Sequence, residues 1–179
     1  MAKREPIEAI LQKYRFDDFR WMPAADIVVS QWVRVKCTFG CGSYGKKGTC
    51  PPQTPSVADC REFFSEYQNA LLIHFHESVD PPEKRHSWSR QINSELLKVE
   101  REVFLAGHPK AFLFFMDECC LCAECSGLKT ACKNARQARP SPESFAVDVF
   151  ETVRRQNYTI EVLSDYSQPM DRFAFLLVD

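Results

Sequence analysis

Neither sign of charge dominates this sequence, and it contains no long hydrophobic run. The 179 residues carry 23 basic and 24 acidic side chains, which gives a formal net charge of −1. Proteins that bind nucleic acids through phosphate contacts normally have a basic excess, so we expect no nucleic-acid partner. No apolar run approaches the roughly 18 residues of a membrane helix, and the first residues lack the apolar stretch of a signal peptide. We therefore expect a soluble, cytoplasmic protein without membrane association.

The signatures of several common enzyme classes are also missing. The chain has no phosphate-binding loop, no dinucleotide fingerprint and no Ser-His-Asp signature. These absences leave open whether the protein is an enzyme. Its length is typical of one domain, and no internal repeat divides it. We expect a single α/β domain over residues 1–179, with cysteine-rich loops at 37–55 and 119–140.

Hydrophobic periodicity predicts alternating helices and strands, as in α/β proteins. Helices are predicted at 6–18, 56–67, 83–106 and 141–156, and strands at 32–36, 70–76, 110–116, 158–163 and 172–178. Because a long helix connects strands 70–76 and 110–116, we expect them to pair in parallel within a small mixed sheet flanked by helices. Each cysteine loop follows a predicted strand, so we expect both loops on one side of the sheet.

Nine cysteines are the unusual feature of the composition. In a reducing compartment thiols stay free, and an odd count fits a disulfide framework poorly. A free cysteine can serve as a small core residue. Here, however, five cysteines lie within residues 119–132 and three within residues 37–50. Grouping at these short spacings indicates metal binding rather than packing.

The later group follows the pattern C-x2-C-x2-C-x6-C, with Cys119, Cys122, Cys125 and Cys132 as candidate ligands. Three thiolates at two-residue intervals can each reach a different iron of an iron–sulfur cube. Zinc usually takes one C-x2-C pair and a second, distant pair, so the third cysteine is superfluous for zinc. The spacing therefore favours a [4Fe-4S] cluster, with Zn as the alternative and thiol–disulfide chemistry as a third. Cys120 is left to pack beneath the loop.

The earlier group supplies Cys37, Cys41 and Cys50 from a loop rich in glycine and proline. Glycines let the backbone pass close to a bulky inorganic group, and backbone N–H groups can bind cluster sulfides. Cys60 is a further candidate for the fourth ligand, although it lies on a predicted helix. Without Cys60 the site has an open or non-cysteine position, which points towards substrate binding rather than electron transfer. Alternatively, both cysteine loops share a single site.

Several other side chains have both a structural and a functional interpretation. His74 and His76 alternate on a predicted strand and so point to one face. They could contribute to a metal site or relay protons, although histidines on strands more often have a structural role. Asp117 and Glu118 are interpreted as surface turn residues, and Arg139 with Asp148 is expected to form a salt bridge.

The two cysteine motifs together resemble those of a predicted metal-binding protein family of anaerobic bacteria and archaea, a domain of unknown function. The matching stretches are Cys37-x3-Cys41-x2-Tyr44-Gly45-x4-Cys50-Pro51-Pro52, Cys119-x2-Cys122-x2-Cys125-x6-Cys132 and Arg139-Pro140-Ser141-Pro142-Glu143-x4-Asp148-Val149. The resemblance spans roughly residues 32–178. It implies metal or iron–sulfur binding and no particular reaction. Cys120 departs from the family pattern, and the resemblance does not assign Cys60 as a ligand.

These observations favour an iron–sulfur protein with one or two [4Fe-4S] clusters. We expect it to serve in electron transfer or redox support of anaerobic metabolism, with a redox protein as partner. One alternative is an enzyme whose open-coordination iron–sulfur cluster binds a small substrate. The other is a zinc-binding interaction protein. The sequence makes no prediction of the oligomeric state.

Overall fold

A four-stranded antiparallel sheet lies at the centre of the molecule, and five helices surround it. The computed structural model describes residues 4–165 and 167–179. In chain order the elements are α1 (Arg4–Lys13), β1 (Phe19–Pro23), α2 (Gln31–Gly40), α3 (Val57–Ser65), β2 (Asn69–Glu77), α4 (Arg85–Leu105), β3 (Phe112–Phe114), α5 (Val149–Arg155) and β4 (Met170–Leu177). The strand order is β1-β2-β4-β3, and each neighbouring pair is antiparallel. Within the described residues, no helix is both long and apolar enough to cross a membrane.

Both faces of the sheet are buried, because successive side chains of a strand point to opposite faces. On one face, Leu71 and Ile73 of β2 pack with side chains of α1 and α4. On the other face, Leu72 of β2 and Phe175 of β4 pack with side chains of α3 and α5. Strand β4 is buried on both faces along most of its length. This burial explains why it occupies a central position although it is the last strand in the chain.

The predicted α/β class is confirmed, as are the helices α1, α3 and α4 and the strands β2, β3 and β4 in approximate position. The predicted parallel pairing of strands 70–76 and 110–116 is wrong. These strands, β2 and β3, do run in the same direction, but β4 lies between them and pairs antiparallel with both. Strand β4 comes from the far end of the chain. The local sequence patterns of β2 and β3 do not indicate that another strand lies between them.

The predicted strand at 32–36 is also wrong, because these residues belong to helix α2. Their alternation of apolar and polar residues is too short to exclude a helix. A helix satisfies its backbone hydrogen bonds internally, whereas a strand needs a neighbour. The segment just before α2 forms an isolated β-bridge, between Val29 and Val147. The first cysteine loop therefore follows a helix rather than a strand.

The predicted helix at 141–156 is interrupted, and no strand forms at 158–163. A short 3-10 helix covers Glu143–Phe145, and Ala146 then adopts a left-handed conformation with φ of 60°. Helix α5 begins only after Asp148, whose side chain accepts a hydrogen bond from the Glu151 N–H at 3.0 Å. The break leaves Glu143 outside any α-helix, beside the cysteine loops.

We predict that Ser56→Ala lowers the free energy of unfolding by about 1 kcal/mol. Helix α3 begins with a capping box in which Ser56 Oγ accepts from the Asp59 N–H, and the Asp59 carboxylate accepts from the Ser56 N–H. Alanine removes one of these two bonds, whereas Ser56→Thr keeps the hydroxyl and serves as the matched control. Urea denaturation followed by circular dichroism measures both variants, and equal stability of the two contradicts the capping assignment.

Candidate metal centre

The two cysteine loops lie against each other, which agrees with their predicted placement on one side of the sheet, although the first of them follows a helix. A Cβ added at Gly48 in the first loop would lie 3.2 Å from the backbone of Leu128 in the second. Lys47 forms an ion pair with Glu118 across the same junction, at 3.3 Å. Only glycine permits this backbone approach at position 48 without a shift of one loop. The loops therefore form one structural unit at the end of the sheet where β3 finishes.

Three cysteines of the first loop line one small cavity of about 260 Å³. Cys37 lies in the last turn of α2, Cys41 follows that helix directly, and Cys50 lies at the exit of the loop. The carboxylate side chains of Glu118 and Glu143 line the same cavity. The structure thus brings the first candidate ligand set together, and adds acidic oxygens to it.

Burial is the main influence on these thiols. Desolvation, followed by the negative charge of Glu118, raises the pKa of Cys50 to about 12. Desolvation likewise raises the pKa of Cys37. The thiols are therefore protonated at neutral pH in the free protein, and a metal that binds them must displace protons. Next to Cys50, the buried Thr49 hydroxyl has no hydrogen-bond partner within residues 4–165 and 167–179. The Thr49 hydroxyl can therefore donate a hydrogen bond to a bound group.

In the second loop, the charges of Cys132 and Cys122 both influence the Cys119 thiol. Desolvation raises the pKa of Cys119, although backbone N–H groups of Leu121 and Arg139 donate to its sulfur and partly oppose this. Asn134 Nδ2 donates to Cys122 Sγ at 3.0 Å. Hydrogen bonds from N–H groups to sulfur favour the thiolate, which is the form that binds metals.

Cys125 connects the two loops electrostatically. Burial alone raises the pKa of Cys125, but N–H groups of Gly127 and Gly48 donate to its sulfur, and the Lys47 charge adds to their effect. The net result is a pKa below the ordinary value of cysteine. Because Gly48 belongs to the first loop, the first loop stabilises a candidate ligand of the second.

The two remaining cysteines lie outside these groups. Cys60 is fully buried on α3, its Sγ lies 3.7 Å from the Pro55 carbonyl oxygen, and it does not line the cavity of the first loop. Cys120 is also buried, and its Sγ lies 3.8 Å from Asn93 Nδ2 on α4. Both positions are typical of packing residues. All nine cysteines are free thiols.

Two acidic residues of this site, Glu118 and Glu143, were not predicted from the sequence. Glu118 and Glu143 line the first cavity, although both were assigned to turns or helix starts. Glu143 borders three adjoining cavities and is exposed. Desolvation by the neighbouring protein raises the pKa of its carboxyl group. The position of Glu118 next to the cysteine run was the only sequence signal for this role.

The predicted salt bridge between Arg139 and Asp148 is wrong. Arg139 Nε instead lies 2.8 Å from the buried Glu100 carboxylate on α4, and Asp148 caps α5. Glu100 also accepts a hydrogen bond from the Leu113 N–H of β3. Helix α4 thereby holds both ends of the second cysteine loop, because Arg139 lies at the end of that loop and Leu113 precedes it.

Comparison with known proteins identifies the family. The chain matches the model of the predicted metal-binding protein family DUF2284 over residues 20–178 and belongs to that family. No curated protein and no solved structure shows significant similarity to it. The family description establishes predicted metal binding, without a metal type or a reaction. The match covers both cysteine loops and the whole sheet except the first residue of β1.

We predict that Gly48→Ala destabilises the metal-loaded protein by roughly 1–3 kcal/mol, the usual cost of overpacking. The added Cβ meets the Leu128 backbone at 3.2 Å and the Lys129 nitrogen at 3.3 Å, so the loops must separate. Gly42→Ala is the matched control, because a Cβ at Gly42 meets nothing within 4 Å. Thermal unfolding and bound metal per chain are measured for both. Equal metal content and stability in the two variants contradict the loop contact.

Proposed function

We propose that this member of the predicted metal-binding protein family is an iron–sulfur protein that transfers single electrons. The proposal assigns one [4Fe-4S] cluster to Cys119, Cys122, Cys125 and Cys132. It assigns a second metal site to Cys37, Cys41 and Cys50. The observation that carries it is the direct contact of the two cysteine loops, in which Gly48 of one loop donates to Cys125 of the other. Two redox groups held this closely can exchange electrons within the molecule.

The spacing of the sulfurs supports a polynuclear cluster over a single zinc ion. Four thiolates around one zinc, each at about 2.3 Å, place the sulfurs about 3.8 Å from one another. Within the described part of the chain, no three cysteine sulfurs lie within 4.8 Å of one another. The candidate sulfurs are therefore not arranged as the ligands of one zinc ion. An iron–sulfur cube does not require such close sulfurs, because each thiolate binds a different iron.

The donors around the sulfurs support the same assignment. Backbone N–H groups donate to Cys119 and Cys125, and the Asn134 amide donates to Cys122. Such hydrogen bonds tune the reduction potential of iron–sulfur clusters. When bound, a cluster of this type takes up and releases one electron. The chain itself holds the ligands in place, keeps the Lys47 charge near Cys125 and Cys50, and buries Cys50 away from water.

An exposed apolar face of α2 supports a redox protein as the partner. Trp32, Val35 and Phe39 are 47%, 45% and 85% exposed, and their spacing places them along one side of the helix. Cys37 lies on this helix, and Cys41 is exposed just after it. Lys36 lies beside Trp32, with its ammonium 5.1 Å from the ring centroid. An electron carrier with an acidic rim and an apolar centre is the partner that this face suits.

A second candidate function is catalysis at the first cysteine group. Cys60 does not line the cavity of that group, whereas Glu118 and Glu143 do. The fourth position is then a carboxylate or is open to a small ligand. A metal ion with an open position acts as a Lewis acid, and the cavity of about 260 Å³ gives such a ligand little room. A small anion or a sulfur-containing molecule is the substrate class that fits.

We predict that anaerobically purified protein contains iron and acid-labile sulfide in equal amounts. We further predict that Cys50→Ser loses the iron of the first site, while Cys60→Ser keeps it. Cys60 is the matched control because it is also buried but lies away from the cavity, and a serine there can still donate to the Pro55 carbonyl oxygen. Elemental analysis and the EPR spectrum of the reduced protein give the result.

Each outcome of this experiment has a defined meaning. Zinc without sulfide overturns the iron–sulfur proposal and leaves the zinc-binding interaction protein. Loss of iron in Cys60→Ser makes Cys60 the fourth ligand and removes the catalytic candidate. An EPR signal of the parent protein that shifts when cyanide or a thiol is added supports the catalytic candidate over simple electron transfer.

A further inference from the structure

A second group of metal-ligating side chains lies at the edge of the sheet, outside the cysteine loops. His74 and His76 occupy the end of β2, and Asp171 lies near the start of β4. The register pairs His76 directly with Asp171 and pairs His74 with Phe173, the next residue on the same face. The antiparallel pairing thus presents all three side chains to one side of the sheet.

The ligand atoms of these three residues converge. One atom from each lies within 4.8 Å of the other two, and this is the only such group of His, Cys, Asp and Glu residues in the part of the chain that the structure describes. His74 Nε2 lies 2.9 Å from Asp171 Oδ1. His76 Nδ1 lies 2.9 Å from the same oxygen.

The outer contacts of His74 are those of a metal-binding histidine. Its other nitrogen, Nδ1, lies 2.6 Å from Asp18 Oδ2, and the Tyr158 hydroxyl donates to Asp18 Oδ1 at 2.6 Å. A carboxylate that accepts the Nδ1–H fixes the tautomer and leaves the Nε2 lone pair for a metal. In that neutral tautomer the Nε2 lone pair faces a carboxylate oxygen, so either a proton or a metal cation must lie between or beside the two atoms.

The distances match the angles of an open metal site. Two ligand atoms that are each about 2.1 Å from a metal are about 3.0 Å apart at 90° and about 3.4 Å apart at the tetrahedral angle. The two nitrogen–oxygen distances of 2.9 Å correspond to the 90° arrangement. Two histidines and one carboxylate on one face of a metal leave further coordination positions open.

We propose that His74 Nε2, His76 Nδ1 and Asp171 Oδ1 form a site for one divalent first-row transition-metal ion. Asp18 is a positioning residue, which orients His74, and Tyr158 holds Asp18. The open positions face a cleft of about 760 Å³ that Arg20, Tyr158 and Gln168 also line. Sulfur plays no part in the ligand set, so this site is chemically distinct from the cysteine loops and does not depend on the function proposed for them.

The proposed site and the cysteine loops lie at the same end of the sheet. Strands β2 and β3 run in the same direction, and their last residues lead to His76 and to the second cysteine loop. Arg172, the neighbour of Asp171, pairs with Asp117 at 3.1 Å. Asp117 in turn precedes Glu118, the partner of Lys47. Two ion pairs, Arg172 with Asp117 and Lys47 with Glu118, therefore lie between the two sites and are joined through neighbouring residues of the chain.

The test is a titration of the anaerobically purified protein, with its own metal content intact, with Co²⁺. We expect one further Co²⁺ to bind with weak visible bands and without the intense thiolate charge-transfer absorption of a cysteine-bound ion. The imidazole resonances of His74 and His76 are expected to shift in NMR spectra, while those of His86 and His108 stay unchanged. Bound cobalt per chain is determined by equilibrium dialysis.

Three variants separate the metal site from a hydrogen-bonded network of the same residues. His76→Ala removes a ligand whose side chain is 63% exposed, so the fold tolerates the change, and it is expected to abolish binding of the additional Co²⁺. Asp18→Asn is expected to weaken binding by about 10–100-fold, which is typical of an outer partner. His86→Ala, at an exposed position on α4, is the control and is expected to bind as the parent does.

The proposal is overturned if no additional Co²⁺ binds, since His74, Asp18 and Asp171 then form a hydrogen-bonded network without a metal. It is also overturned if His76→Ala binds Co²⁺ as the parent does, or if the bound ion shows thiolate absorption. Iron and sulfide content, measured on the same variants, is expected to stay at the parent value. Failure at the histidine site therefore remains distinguishable from failure of the iron–sulfur proposal.

Discussion

The pairing of β2 with β4 is the constraint on which the rest of the structure depends. Eight residue pairs align these two strands, from Ala70 opposite Leu177 to Glu77 opposite Met170. The pairing brings the last strand of the chain into the middle of the sheet, where both of its faces are covered. It also sets the direction of β3, and thereby the end of the sheet at which the second cysteine loop emerges. A shift of the register by one residue would exchange the two faces and would separate His76 from Asp171.

The contact between the cysteine loops depends on backbone rather than side-chain chemistry. Gly48 lies so close to Leu128 that its N–H can donate to Cys125. An ion pair also connects the two loops, because Lys47 pairs with Glu118. The Lys47 charge remains close to Cys50 and Cys125. Buried thiolates need such partners, since desolvation opposes their ionisation. The loops thus supply for each other the donors and the positive charge that a thiolate-bound metal requires.

Helix α4 fixes this arrangement to the fold. Its Glu100 binds Leu113 before the second loop and Arg139 at the end of that loop. On the same helix, Arg90 Nε donates to the Cys120 carbonyl oxygen at 2.7 Å. The cysteine loop has no regular secondary structure of its own, so these side-chain contacts and the neighbouring first loop determine its position. Rigid elements that carry an irregular binding loop are a common arrangement in functional sites.

The sequence by itself determined the α/β class, three of the five helices in approximate position, and the two cysteine groups. Each of these follows from local information: periodicity for α4, a serine cap for α3, and short spacings for Cys119, Cys122 and Cys125. Tertiary structure alone decided that β4 separates β2 from β3, that residues 32–36 are helical, and that Cys60 lies away from the first cysteine group. It also decided the convergence of His74, His76 and Asp171. These features depend on contacts between residues far apart in the chain. Burial and strand pairing override local preference, so local sequence patterns do not predict such contacts.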